Sequence, residues 1–423
     1  MGWLLFQKVF VILLGIVATG WVARHLGVEK IGILGGAVAL VTYFGVFALG
    51  VDPGVFVKRI LEEPEREREI MGGTTAVLAV TGFLSWVVLV LWVWLGSQQN
   101  ELAKWVAIVY GLKMCVTFPA PIAFWFQSQL KLQYTVIPNT LGSIALRLWQ
   151  VACILLGGGV ILIAAADVFA LLVILLLSLG LYLHCQKDVR SWKVDWRTGF
   201  SIWRASLPAL IAGSLFSLLS RMDVLMLTQF RGVQVAGYFT AATALSESLF
   251  FMTSLLSLPL APLLIKARKD EPLLYPKYRE NYAKFSALLG WICAIVLSLG
   301  SSLAVHIVYG ETFETSAGIL AFHAFILMPC FLGGAMAVFL TTESLLPWLT
   351  AFFSIALVVN FLVNLVLIPS FGAVGAAFAS VFGLTTAYVI APLLFAQTRH
   401  LGLLSIRAIL WPVPNLQLVK GGA

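Results

Sequence analysis

The sequence predicts an all-α polytopic membrane protein, and three observations carry that class. Hydrophobic residues make up 61 % of the 423 residues and charged residues only 11 %, against roughly 45–50 % and 25 % in soluble domains. Mean hydropathy is +0.98. The polar residues left over could not cover a water-soluble particle, so lipid must be the solvent, and lipid accepts only helices or closed barrels. The third observation is the form of the apolar runs. Thr74 to Leu95 holds no charged residue, whereas barrel strands alternate apolar and polar positions.

A span needs about 20 apolar residues to cross about 30 Å of hydrocarbon. Breaks at polar, glycine and proline clusters divide the chain into twelve spans: 3–23, 31–57, 73–96, 102–126, 132–156, 159–183, 205–229, 234–264, 284–309, 315–342, 346–368 and 373–396. The first begins at Trp3, has full spanning length and lacks a small-residue cleavage site, so it is expected to be retained as a helix. The second runs into the charged block Lys58–Arg68. The fifth and sixth part at Gly157-Gly158-Gly159, and the seventh and eighth at Arg231-Gly232. The charged stretch from Lys266 precedes the ninth, and Pro369 separates the last two.

An even count puts both termini on one side, and the basic residues choose the side. With a cytoplasmic N-terminus the inner loops collect Lys58, Arg59, Arg66, Arg68, Lys131, Lys187, Arg190, Lys193, Arg197, Arg204, Lys266, Arg268, Lys269, Lys277, Arg279 and Lys284, joined by the C-terminal Arg399, Arg407 and Lys420, while the outer loops hold only Arg24, Lys30, Lys104 and Arg231. This satisfies the positive-inside rule. It predicts a multi-pass protein of the plasma (inner) membrane with both termini cytoplasmic. The net charge of +8 then belongs to loops facing anionic lipid headgroups, not to a nucleic-acid surface. The five cysteines are scattered, mostly within apolar segments, and form no CxxC pair, so they are expected to fill the core rather than bind metal. No Walker A, Rossmann, HExxH or GxSxG sequence occurs. The outer loops are all under about ten residues. No cofactor and no enzymatic activity are expected.

Two stretches align without a gap at an offset of 205: ARHLGVEKIGILGGAVAL from Ala23 and TQFRGVQVAGYFTAATAL from Thr228. Identities fall at Gly27/Gly232, Val28/Val233, Gly32/Gly237, Ala37/Ala242, Ala39/Ala244 and Leu40/Leu245. Both occupy the turn between the first and second spans of a six-span half. The expected organisation is a lobe over 1–190, a basic linker 191–204, a second lobe over 205–397 and a cytoplasmic tail 398–423. Like-oriented repeats of this kind are a transporter architecture, with the substrate path between the halves.

Several segments also resemble a known family. WVARHLGVEKIGILGGAVALVTYFGVFALGVD from Trp21, the run from Ser206 containing R-x-D-x-x-M-L at Arg221, VYGETF at Val308 and LVLIPSFGAVGAAFAS from Leu365 are similar to Wzx-type polysaccharide flippases. These belong to the multidrug/oligosaccharidyl-lipid/polysaccharide exporter superfamily. The resemblance implies two parallel six-helix lobes around a V-shaped central cavity lined by spans 1, 2, 7 and 8. It also implies alternating access that moves a polyprenyl-pyrophosphate-linked oligosaccharide from the inner to the outer leaflet. One departure is Gln7, where the family commonly has an acidic residue.

A charge at mid-membrane costs about 2.5–3.5 kcal/mol on insertion scales and needs a reason. A pyrophosphate could not cross hydrocarbon unpaired, and an arginine fork can hold two of its oxygens. The substrate-binding candidates are therefore Arg221, Lys113 and Arg147, with Arg24 at the outer mouth. Glu247, Asp223, Asp167 and Asp52 are the candidates for ion pairing or for binding a coupling H+ or Na+. Arg221 and Asp223 are two residues apart, about 200° around a helix, and cannot face the same way. Arg147 and Asp167 share a depth on neighbouring spans and could pair, and Glu247 could pair with Arg221. Two other functions compete: a drug/cation antiporter of the same superfamily, and a polyprenyl-sugar polymerase or glycosyltransferase. Short outer loops count against the last.

Overall fold

In a computed structural model of the chain, the described residues are 2–46, 48, 50–96, 100–186 and 189–415. The side chains of 2–13, 186, 258 and 259 lie outside that set; Gln7, Lys8 and Pro259 therefore fall beyond what can be described. Among the described residues every regular element is helical. Among the described residues nine stretches are long and apolar enough to cross a membrane, and helix covers most of the described residues of all twelve intervals expected from the sequence.

The chain forms two compact units, one of residues 7–218 and one made largely of the residues from Leu219 onward. The division falls inside the long helix Trp196–Arg231. In the first unit, the second expected span ends early, at Gly45. Its expected continuation is a separate amphipathic helix, Pro53–Glu62, whose Phe56 and Ile60 are buried. Asp52 is the reason for the restart: its Oδ1 accepts from the Val55 N–H at 3.0 Å and Pro53 takes the first helical position. The fourth span is broken as well. Helix Glu101–Gly111 tightens into a 3-10 turn, Leu112–Val116, before Ala120–Ser128. That turn lodges against Gly82, where a Cβ would lie 2.3 Å from the Met114 carbonyl. The stretch expected as a linker packs within this unit, since Lys193 and Asp195 carbonyls meet Gly72 and Gly73 so closely that no Cβ fits.

The repeated turn has the same backbone in both units. Gly27 (φ 78°, ψ 172°) precedes Val28–Gly45 and Gly232 (φ 88°, ψ 168°) precedes Val233–Glu247. Only glycine adopts that region without strain, so both copies of the motif keep it for a backbone reason. In the second unit the eighth and tenth spans are each interrupted: Val233–Glu247 gives way to Phe251–Asp270, and Thr315–His323 to Leu327–Thr342. The last two spans run as Trp348–Thr385, bent at Gly372 (φ 57°). Past them the chain, expected as a tail, forms a further helix, Arg399–Leu410.

Candidate functional site

Each unit carries its own intramembrane polar cluster. In the first, Lys113 sits on the 3-10 turn with its Nζ 3.8 Å from the centre of the Tyr110 ring. Arg147 Nη1 donates to Gln150 Oε1 at 2.9 Å, on the same helix Gln133–Leu155. Gly15 lies beside this guanidinium, since a Cβ there would stand 3.3 Å from Arg147 Nη2. Asp167, on Val160–Gln186, interacts electrostatically with both Lys113 and Arg147. Three of the expected charges are thus neighbours: two cations and one acid. Arg24 is exposed at the end of helix Gly2–Leu26, where its neighbour His25 meets the Gly158 carbonyl at 2.9 Å. Asp52 caps its helix, as described above.

The second unit divides its charges across one helix. Arg221 and Asp223 point to different neighbours, as their angular separation requires. Arg221 Nη2 donates to Glu247 Oε2 at 2.8 Å, and the two side chains are 29 % and 19 % exposed. Glu247 is the last residue of Val233–Glu247, at the interruption of its span. An acid at a helix C-terminus faces the negative end of the dipole, so the guanidinium is what makes its position tolerable. Next to it, Ser246 Oγ lies 2.7 Å from Nδ1 of the buried His323, which ends the facing helix Thr315–His323 and stands edge-on to Phe239. The two interruptions are therefore joined by hydrogen bonding.

Asp223 is only 1 % exposed. Its Oδ1 accepts from Asn360 Nδ2 at 3.2 Å and from Asn364 Nδ2, and its Oδ2 accepts from Ser380 Oγ. Asn364 Nδ2 also reaches Asn360 Oδ1 at 3.0 Å. Among the described residues no cation lies within ion-pair distance of Asp223, and the Asn364 Oδ1 is buried without a partner. A carboxylate with only neutral donors around it, in lipid, is an oxygen-rich centre suited to a proton or a hard monovalent cation. The approach of the helices that makes it depends on Gly383, where a Cβ would stand 3.0 Å from that of Asn360. Arg231, two turns beyond Asp223, donates to the Ile368 and Pro369 carbonyls and caps the first part of the bent helix. Among the described residues no group of three His, Cys, Asp or Glu side chains could hold a metal ion.

Charge counting alone missed Asn360, Asn364 and Ser380. The signal was available: two asparagines one turn apart inside an otherwise apolar span place two amides on one helix face.

A protein-family comparison matches residues 1–250 to the family described as "Polysaccharide biosynthesis protein". No curated protein matches the chain. Among solved structures it is similar to the lipid II flippase MurJ in an inward closed conformation, with a TM-score of 0.75 at 12 % identity, covering 96 % of this chain and 90 % of that one. It is likewise similar to an inward-facing multidrug resistance MATE family transporter of the MOP superfamily, with a TM-score of 0.70 at 13 % identity and 99 % of both chains covered. A MOP superfamily transporter from Pyrococcus furiosus, described as having a binding pocket of reversed polarity, follows at 0.52 and 14 % identity, over 96 % and 92 % of the two chains. At these identities the likeness establishes the fold.

Proposed function

The chain belongs to the polysaccharide biosynthesis protein family, and from that premise we propose that it is a transporter that flips a polyprenyl-pyrophosphate-linked oligosaccharide from the inner to the outer leaflet by alternating access. Its membrane is the plasma (inner) membrane, with both termini on the cytoplasmic side. The observation that carries this reading is Arg221, a partly exposed guanidinium within a span that turns one N–H group to Glu247. A guanidinium has five N–H donors in a rigid fork. The donors not turned to Glu247 suit the pyrophosphate, and Lys113 and Arg147 are the cationic candidates of the first unit for the same headgroup. Arg24, exposed at its helix end, meets the headgroup at the outer side. Asp223 binds the coupling ion, H+ or Na+, where its carboxylate, the unpartnered Asn364 Oδ1 and the Ser380 hydroxyl supply hard oxygen ligands. Asp167 pairs with the cations of the first unit.

A drug/cation antiporter is the second reading, favoured by one observation: Glu247 is a partly exposed acid beside the same site and could take a cationic substrate. The two differ in the charge they carry. With the cell interior negative, an anionic headgroup moving outward gains about 2.3 kcal/mol per charge per 100 mV. Purified protein in liposomes, given a fluorescent polyprenyl-pyrophosphate sugar and a set potential, is expected to flip it faster when the potential favours outward movement of anions. Flipping that ignores both the size and the sign of the potential would remove this proposal, and potential-driven uptake of organic cations would favour the antiporter.

A further inference from the structure

The polypeptide beyond the last apolar stretch folds back along helix Tyr275–Leu299. Helix Arg399–Leu410 starts at the basic end, where His400 Nε2 lies 2.8 Å from Glu343 Oε2 and Arg279 Nη1 donates to the other carboxylate oxygen at 2.6 Å. At its far end Trp291 Nε1 donates to the Ile409 carbonyl at 3.3 Å. From Arg279 to Trp291 is about 18 Å along one helix, and from His400 to Ile409 about 13 Å along the other. The two helices therefore run side by side from the same end. Helix breaking follows at Trp411, Pro412 and Pro414, and the chain returns: Asn281 Nδ2 donates to the Asn415 carbonyl, and the Asn415 N–H donates to Asn281 Oδ1, each at 3.0 Å. Asn281 lies two residues from Arg279. Entry and exit are at one end.

Twelve residues make a helix of about 18 Å, too short to cross about 30 Å of hydrocarbon. Yet Trp291 is about 10 Å beyond Lys284, the last charged residue of its helix, so Ile409 reaches apolar depth. The outward side fits that place. Leu403 and Val413 are exposed, and Leu410 and Trp411 are 75 % and 67 % exposed. Arg399, Leu403, Arg407 and Leu410 fall at spacings of four and three on a single stripe. The inner side is fixed by burial of Leu401, Leu404 and Ala408 and by Gly402, where a Cβ would lie 2.7 Å from Leu393. Among the described residues no carboxylate stands within ion-pair distance of Arg399 or Arg407, and Arg399 Nε donates to the Leu393 carbonyl at 3.3 Å.

We propose that residues 399–415 form a re-entrant hairpin in the leaflet on the basic side of the membrane, and that Arg399 and Arg407 hold the phosphate of an anionic phospholipid there. The stripe fits that partner: arginine stems lie along leucine and tryptophan while the guanidinium heads reach the headgroup layer. This inference is independent of what the protein transports.

Two measurements on the full-length protein test it. In a variant with the five native cysteines replaced, a polarity-sensitive fluorophore on L403C or W411C is expected to emit as in lipid and to be quenched by phospholipids brominated along their acyl chains. Emission as in water, untouched by those lipids, overturns the hairpin. In native mass spectrometry the protein is expected to retain phosphatidylglycerol over phosphatidylcholine, and the Arg399→Gln/Arg407→Gln variant to lose roughly tenfold or more of that preference. An unchanged preference overturns the headgroup site. Because the fluorophore experiment keeps both arginines, a misfolded double variant would leave the hairpin open to refutation. The single variants Arg399→Gln and Arg407→Gln, each expected to lose part of the preference, do the same for the headgroup site.

Discussion

Three acids of the second unit, Asp223, Glu247 and Glu343, are all withdrawn from solvent, and each is held in a different way. Asp223 has two amides and a hydroxyl around it and, among the described residues, no cation. Glu247 has a single guanidinium. Glu343 has a guanidinium, an imidazole and a phenol, from Arg279, His400 and Tyr275. A carboxylate held by a guanidinium and further hydrogen bonds is a fixed strut, because removing the cation leaves a buried charge. One wrapped in neutral donors keeps its affinity for a mobile cation. Under the proposed function, charge partners rank the three acids from coupling site to structural latch, and substitutions are expected to follow that order.

The largest effect is expected at Asp223 and its helix neighbour Arg221. Asp223→Asn keeps the shape and offers the surrounding amides and hydroxyl an oxygen to bond, so the fold should persist while ion-dependent flipping falls by about ten- to a hundredfold, as loss of a charged partner worth about 1.5–3 kcal/mol implies. Asp223→Ala would instead strand three buried donors and destabilise the protein by several kcal/mol. Arg221→Ala should reduce flipping to a similar degree with a near-normal melting temperature, since this side chain is partly exposed. Equal loss of fold in Asp223→Asn and Asp223→Ala, or full flipping in either Asp223→Asn or Arg221→Ala, breaks the distinction between working centre and strut.

How much of this was legible in the sequence follows from which forces are local. Hydropathy alone located the helices, because spanning length and charge-free runs are one-dimensional properties, and the Gly27/Gly232 match marked a turn that proved identical in backbone. The angular separation of Arg221 and Asp223 was readable from helix geometry. What escaped was the partner set of Asp223. Asn360, Asn364 and Ser380 lie 137 to 157 residues away, and neutral residues raise no alarm in a charge count. The boundary at Gly45 escaped for a different reason. Val46 to Val51 is apolar enough to continue a span, and only the cap at Asp52 with Pro53 behind it restarts the helix.

An intermediate effect is expected at Glu247. It is the counter-ion of Arg221, so under the proposed function Glu247→Gln should free the guanidinium for phosphate. Substrate binding is expected to tighten by about fivefold, the upper range for a partly exposed ion pair, while release slows and turnover drops. Binding measured by fluorescence titration separates this from a loss of fold. Weaker binding would show instead that Glu247 orients Arg221 rather than competing for it.

The smallest effect on flipping, and a clear one on stability, is expected at Glu343, which lies outside the spans. Burial by itself would raise this carboxyl, but hydrogen bonds from Arg279 and His400, the Arg279 charge and the Tyr275 hydroxyl outweigh it and hold the group below its ordinary value. A depressed carboxylate gives stability that is fully present above its unfolded pKa, about 4.3 for glutamate, and is lost as pH falls through the folded value. The melting temperature should therefore fall with acidification below about pH 4.3 in the wild type. Glu343→Gln should cost about 1.5–3 kcal/mol at neutral pH and flatten that acid dependence. The same substitution removes the anchor of His400 and should loosen helix Arg399–Leu410, visible as faster amide exchange in that helix than in Trp348–Thr385. An acid profile that Glu343→Gln leaves unchanged would mean that the latch is carried by the Trp291 and Asn281 contacts instead.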